Sequence, residues 1–165
     1  MKTKNLLYSL ACISFITVIG AAIYEHLVVW PVAFQDLPRS LSAFQGTFKL
    51  DASTFWIPIH PITMVLFILA LVANRKTERK RFIQIPLVIY TLILAITFIY
   101  FVPELMSLVQ MTFTDSSDAS ATSRANTWEL LSLIRLGLLI TAALILLNGF
   151  SKPAQEAKPN LVGKI

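Results

Sequence analysis

The sequence predicts an all-α protein, an integral membrane four-helix bundle. Three observations predict it: four long apolar runs, a charged fraction of 14% against 56% hydrophobic residues, and a one-sided distribution of Lys and Arg. Soluble domains carry roughly 25% charged residues. With a mean hydropathy of +0.70 the chain is suited to lipid rather than water. Five Gly and eight Pro in 165 residues exclude collagen-like and low-complexity chains, and the length allows one domain.

The runs extend over residues 6–29, 55–73, 82–102 and 128–150, with a tail at 151–165. Each is long enough to cross ~30 Å of hydrocarbon as a helix. An isolated spanning segment must satisfy its own backbone hydrogen bonds, so helix is the required conformation. Alternating barrel-strand patterns are absent, and no internal repeat stands out.

Orientation follows from the basic residues. Arg75, Lys76, Arg79, Lys80 and Arg81 lie between the second and third runs, Lys2 and Lys4 precede the first, and Lys152, Lys158 and Lys164 follow the fourth. Only Arg39, Lys49 and Arg124 lie on the other side. The positive-inside rule then places both termini in the cytoplasm of a multi-pass protein of a bacterial-type plasma (inner) membrane. The net charge of +5 is a matter of topology and contact with anionic membrane lipid, and calls for no nucleic acid. Lys2 and Lys4 before an apolar run fit a signal peptide. The run is too long for a typical h-region, however, and polar Tyr24-Glu25-His26 stands where cleavage would fall. Cys12 lacks a lipobox, since Ser9 holds the position that wants Leu. The first run therefore reads as a retained helix, with Cys12 a small apolar residue within it.

Trp30, Trp56 and Trp128 fall near the outer ends of their runs, as in interfacial Trp belts. The outer loop 31–53 carries Phe34, Leu37, Leu41, Phe44 and Phe48, a pattern for a short amphipathic element on the bundle mouth or the membrane surface, interrupted by Pro38. The loop 114–126 is rich in Ser, Ala, Asp and Thr and reads as mobile. The tail from Ser151 reads as disordered.

The ionisable residues sort to one face. Glu25 and His26 end the first span, His60 begins the second, Glu104 ends the third, Glu129 begins the fourth, and Arg135 sits about two turns deeper. Ionisable groups in a span cost about 2.5–3.5 kcal/mol each on insertion scales, so they face the bundle interior and pair. Gly20, Ala21 and Ala22 lie one turn below Glu25 and His26, and small residues mark close helix approach. Thr97, Tyr100, Glu104 and Ser107 form one polar stripe, and Trp128, Ser132 and Arg135 another, at helical spacing.

Imidazoles and carboxylates meeting in a four-helix bundle are the ingredients of a metal site. His26, His60, Glu25, Glu104 and Glu129 are the candidate ligands for a divalent zinc, iron, manganese or copper ion. Arg135 is the candidate catalytic residue, balancing carboxylates or meeting a substrate anion. Trp56, Tyr100 and Trp128 would line a pocket for a lipophilic small molecule. No Glu-x-x-His or His-Glu-x-x-His occurs. Plainer readings stand beside these: Glu129 with Asn126 as a capping box, Arg135 in a structural ion pair, Glu104 as an interfacial carboxylate after Pro103, Asp51 as a helix-start residue, and His60 as a hydrogen-bonded interfacial side chain.

At these residues the chain resembles the anthrone oxygenase-like family of small four-helix membrane proteins. The similar features are a small-residue first helix leading to Pro31 (from Gly20), Phe55-Trp56 opening the second helix, and Trp128 before Arg135 with Asn126 upstream. Tyr24-Glu25-His26 and Ile59-His60-Pro61 lie outside those motifs. The resemblance implies a four-helix bundle and, for some members, oxygen-dependent oxidation of a polycyclic phenolic substrate.

The leading expectation is a membrane metalloprotein with an oxidoreductase role on a lipophilic substrate near the outer face. One rival is an electron carrier with haem held by His26 and His60; without Cys-x-x-Cys-His, covalent haem is excluded. The other is a non-catalytic accessory or lipid-binding protein. Four spans leave little room for a transport pathway, so a transporter would require a homo-oligomer.

Overall fold

The computed structural model describes residues 2–154 and is all-helical, with no strand among the described residues. Four helices are long and apolar enough to cross a membrane: Lys2–Ala33, Ser53–Ala73, Lys80–Val109 and Ala119–Ser151. The first comprises α1 (Lys2–Tyr24), a π-helical turn (Glu25–Val29) and α2 (Trp30–Ala33). The second is α3 (Ser53–Ala73). The third comprises α4 (Lys80–Ile96), a second π turn (Thr97–Phe101) and α5 (Val102–Val109). The fourth is α6 (Ala119–Asn148), closed by a 3-10 turn. Most of the expected tail, residues 155–165, lies outside the described residues.

Packing closes a ring: α1 lies against α3 and α6, and α4 against the same two. The main core gathers Tyr8, Phe15, Phe67 and Tyr90, each at most 1% exposed. The rings of Phe15, Phe67 and Tyr90 meet edge-on or tilted, Phe15 lying 5.2 Å from Phe67 and 5.1 Å from Tyr90 between centroids. A second cluster at the loop end joins Trp30, Phe34, Leu37 and Leu41 to Phe101, Leu108 and Trp128.

Both π turns precede a proline by two residues: Val29-Trp30-Pro31 and Phe101-Val102-Pro103. A proline ring collides with the carbonyl four residues back and offers no N–H. Those carbonyls belong to Leu27 and Ile99, inside the two π turns, where the widened ladder absorbs the conflict. The helices therefore continue past their prolines, and the third runs to Val109 rather than ending near residue 102.

The fourth helix also exceeds its apolar run. It starts at Ala119, where Asp118 Oδ1 accepts from the backbone N–H of Ser120 (2.9 Å) and Ala121 (3.0 Å). This is an N-cap, and it replaces the expected capping box at Asn126 and Glu129, which lie inside the helix. Much of the loop expected at 114–126 is consequently helical. The Asp118 N–H also donates to Leu37 O at 2.8 Å, tying the α2–α3 and α5–α6 connections together. The connection between α2 and α3, which the sequence places outside, folds its Phe34, Leu37 and Leu41 into the second cluster, with a 3-10 helix (Arg39–Phe44) starting after Pro38. Trp30 and Trp128 are each 3% exposed. They are interior anchors, not belt residues, because this loop covers them.

At the other end Arg79 holds three segments together. It is 7% exposed and donates to Asn5 Oδ1 (2.7 Å), Lys152 O (2.8 Å) and Phe150 O (3.4 Å). The start of the first helix, the connection between α3 and α4 and the end of the fourth helix thus share one end of the bundle. Hydrogen bonds from a charged donor contribute about 1.5–3 kcal/mol each at most, and the freed carbonyls here border solvent. Arg79→Met should lower stability by about 2 kcal/mol, read as a lower thermal midpoint in detergent. An unchanged midpoint would show the clamp to be redundant.

Candidate functional site

A cavity of about 740 Å³ lies among the four helices toward the end that carries the α2–α3 connection. Its walls are largely apolar, with Val18, Ile93, Leu136 and Leu139 at one extreme and Lys49, Leu50 and Asp51 of the loop at the other. Volume and lining suit one small-molecule ligand with a few placed polar groups. Both π turns contribute residues to the wall, namely Glu25 and His26 from one and Thr97, Phe98 and Phe101 from the other. Such turns inside α-helices often mark functional sites.

Glu25 and His26 enter the cavity on two sides. Adjacent helical residues diverge by ~100°, which sends Glu25 toward α3 and His26 toward α6. The Trp56 indole N–H donates to Glu25 Oε1 at 2.8 Å. His26 Nε2 stands 3.1 Å from Ser132 Oγ, while its Nδ1 is buried with no partner among the described residues. The His26 ring lies 6.5 Å from that of Trp128, nearly parallel to it.

His60 Nδ1 and the Tyr90 hydroxyl are 2.7 Å apart. The imidazole stacks on Trp56 at 5.3 Å and 22°. Tyr90 was not singled out from sequence; a tyrosine in the middle of the third run, ten residues before Tyr100, was the available signal.

Arg135 Nη1 donates to Thr97 Oγ1 (3.0 Å) and Nη2 to Ser132 Oγ (2.8 Å). Its guanidinium carbon lies 4.2 Å from the centre of the Phe101 ring. The expected ion pair is not formed: among the described residues no carboxylate lies within 4.0 Å of Arg135. The carboxylate on the cavity wall beside it, Glu25, is instead engaged by Trp56. Ser132 and Thr97, seen from sequence only as members of stripes, are the groups that hold the guanidinium.

Three sequence candidates fall elsewhere. Glu104 Oε1 accepts from Arg124 Nε at 2.8 Å, and Arg124 Nη2 donates to Ser107 Oγ at 2.6 Å, away from the cavity wall. Glu129 does not line the cavity, and Tyr100 is exposed beside Phe101. The cause for Tyr100 and Glu104 is the second π turn, whose extra residue rotates the later part of the helix relative to an unbroken α-helix. Among the described residues no group of three His, Cys, Asp or Glu side chains gathers to hold a metal ion. The expected five-residue ligand set is therefore not assembled.

Asp51 plays the expected helix-start role. Its Oδ1 accepts from the Ser53 hydroxyl (2.5 Å) and backbone N–H (3.0 Å), and these bonds hold the carboxyl below the usual carboxylate range.

Fold and site together define a class: a four-helix protein with four helices long and apolar enough to span a membrane, enclosing a largely apolar cavity with Arg135, His26, His60 and Glu25 on its wall and Lys49 and Asp51 at its loop end. Compared with protein-family models, curated proteins and solved structures, the chain matches none.

Proposed function

We propose that this chain is an integral membrane protein that takes a lipophilic small molecule into the cavity, near the outer membrane face, with both termini cytoplasmic. The observation that carries the reading is the cavity itself: about 740 Å³, apolar along most of its wall, with Arg135, His26, His60 and Glu25 among its lining. Apolar walls take the body of such a molecule, and the few polar groups orient its head. Trp30, Trp56 and Trp128 all line the space, so their fluorescence reports on occupancy. Titration of the detergent-purified protein with the methyl ester of dibromostearic acid should quench that fluorescence saturably, and Trp56→Phe should remove a large share of the quenching. Quenching that rises without saturation and ignores Trp56→Phe would overturn the reading.

A second reading, metal-dependent oxidation of the same ligand, is favoured by the partnerless Nδ1 of His26. His26, His60 and Glu25 line one cavity, and two histidines with a carboxylate form a set known for iron. They would have to leave Ser132, Tyr90 and Trp56 to converge. Elemental analysis of the purified protein decides: one metal per chain, lost in His60→Ala, supports it, and sub-stoichiometric metal removes it.

A further inference from the structure

At its charged wall the cavity offers hydrogen-bond donors that neither of the carboxylates on that wall, Glu25 and Asp51, engages. Arginine carries five N–H donors and no acceptor. Here one bond goes to Thr97 and one to Ser132, both neutral hydroxyls. Thr97 gives its own proton to Ile93 O at 2.7 Å, so it can only receive from Arg135. Ser132 Oγ receives from Arg135 and, among the described residues, has no other acceptor for its proton than His26 Nε2. That assignment leaves the Nδ1 of a neutral His26 as an N–H donor, and a protonated His26 carries an N–H there as well. Nδ1 is the partnerless buried atom on a side chain 8% exposed. Burying a cation on neutral hydroxyls alone, and an N–H with no acceptor, is costly in a low-dielectric site.

We propose that the cavity selects a lipophilic weak acid, an apolar body ending in an ionisable oxygen that accepts from Arg135 and from His26. The proposal rests on the lipophile-binding reading above and names its ligand class. Other charged groups on the wall fit it. Glu25 sits opposite with one oxygen held by the Trp56 N–H, and makes no ion pair with Arg135; Lys49 and Asp51 stand at the loop end. Glu25 opposes the bound anion, so its neutralisation strengthens binding.

The test compares two pairs of brominated quenchers on the detergent-purified full chain. Dibromostearic acid is set against its methyl ester, and pentabromophenol against its methyl ether. The wild type should prefer the acidic member of at least one pair by about tenfold or more, and the pair that shows it identifies the source as a carboxylate or a phenol. Arg135→Met should abolish the preference while the neutral member still binds. Arg135→Lys should keep part of it, which guards against a variant that merely fails to fold. Glu25→Gln should raise acid affinity. Equal binding of acid and neutral analogue in both pairs would overturn this inference and leave the lipophile reading standing. A preference that survives in folded Arg135→Met would also overturn it. Saturable quenching by none of the four probes would remove both.

Discussion

Gly149→Val is expected to lower stability by about 3 kcal/mol, because no room exists for a side chain where the end of the fourth helix meets the first. A Cβ at this position would lie 2.8 Å from Phe82 Cβ and 2.9 Å from Tyr8 Cζ, and would overlap the Tyr8 hydroxyl. Tyr8 cannot step aside cheaply. It is fully buried, its hydroxyl donates to Leu146 O, its ring packs on Phe150 at 4.7 Å, and the Arg79 guanidinium lies 5.4 Å from its centre. Overpacking a tight site costs about 1–3 kcal/mol, and an orphaned buried hydroxyl a further ~1–3 kcal/mol. Thermal unfolding in detergent measures the sum. Gly149→Val combined with Tyr8→Phe should recover part of the loss, since removing the hydroxyl removes the worst of the three close contacts and leaves those to Phe82 Cβ and the ring carbon. A Gly149→Val midpoint equal to that of the wild type would show that this end of the bundle relaxes freely.

Much of this architecture is written in the apolar runs. Their number and order are those of the four long helices, and the alternation of basic loops agrees with the start of the first helix and the end of the fourth sharing one end of the bundle. Helix ends were less legible. Polar residues between Ala119 and Thr127 resemble a loop, yet one aspartate, Asp118, caps a helix there by accepting two N–H groups. Pro103 reads as a terminator, yet the π turn before it carries the helix onward. The same turns decide the site. Glu25, His26, His60, Trp56, Trp128 and Arg135 line one cavity as their positions along the runs suggested. Tyr100 and Glu104 do not, because periodicity counted across Thr97–Phe101 assumes an unbroken 3.6-residue repeat. The pairing of Glu104 with Arg124 joins residues 20 apart on two helices, and local spacing carries no signal for it. The two prolines were the visible clue to the rotated segments.

Trp128→Ala should be the most damaging substitution near the cavity, costing about 3–5 kcal/mol and ligand binding with it. The indole is the centre of the loop-end cluster. Its centroid lies 5.2 Å from that of Trp30, 5.8 Å from Phe34 and 5.9 Å from Phe101, all edge-on, and its Nε1 donates to Phe101 O at 2.9 Å. These partners belong to the first helix, the outer loop and the second π turn, so one side chain connects everything that closes the cavity at this end. The same ring lies almost parallel to His26, and Ser132, which bonds both His26 and Arg135, stands one helical turn further on. Truncation to alanine leaves a void among aromatic rings and frees the π turn that carries Thr97, a holder of Arg135. Trp128→Phe separates the two contributions: it keeps most of the packing and loses the bond to Phe101 O, worth about 1 kcal/mol. The expected order of thermal midpoints is wild type, Trp128→Phe, Trp128→Ala, with affinity for the brominated probes falling in the same order. If Trp128→Ala bound them as tightly as the wild type, the loop-end cluster would be mere scaffolding, and control of the polar wall would rest on Ser132 and Thr97 alone.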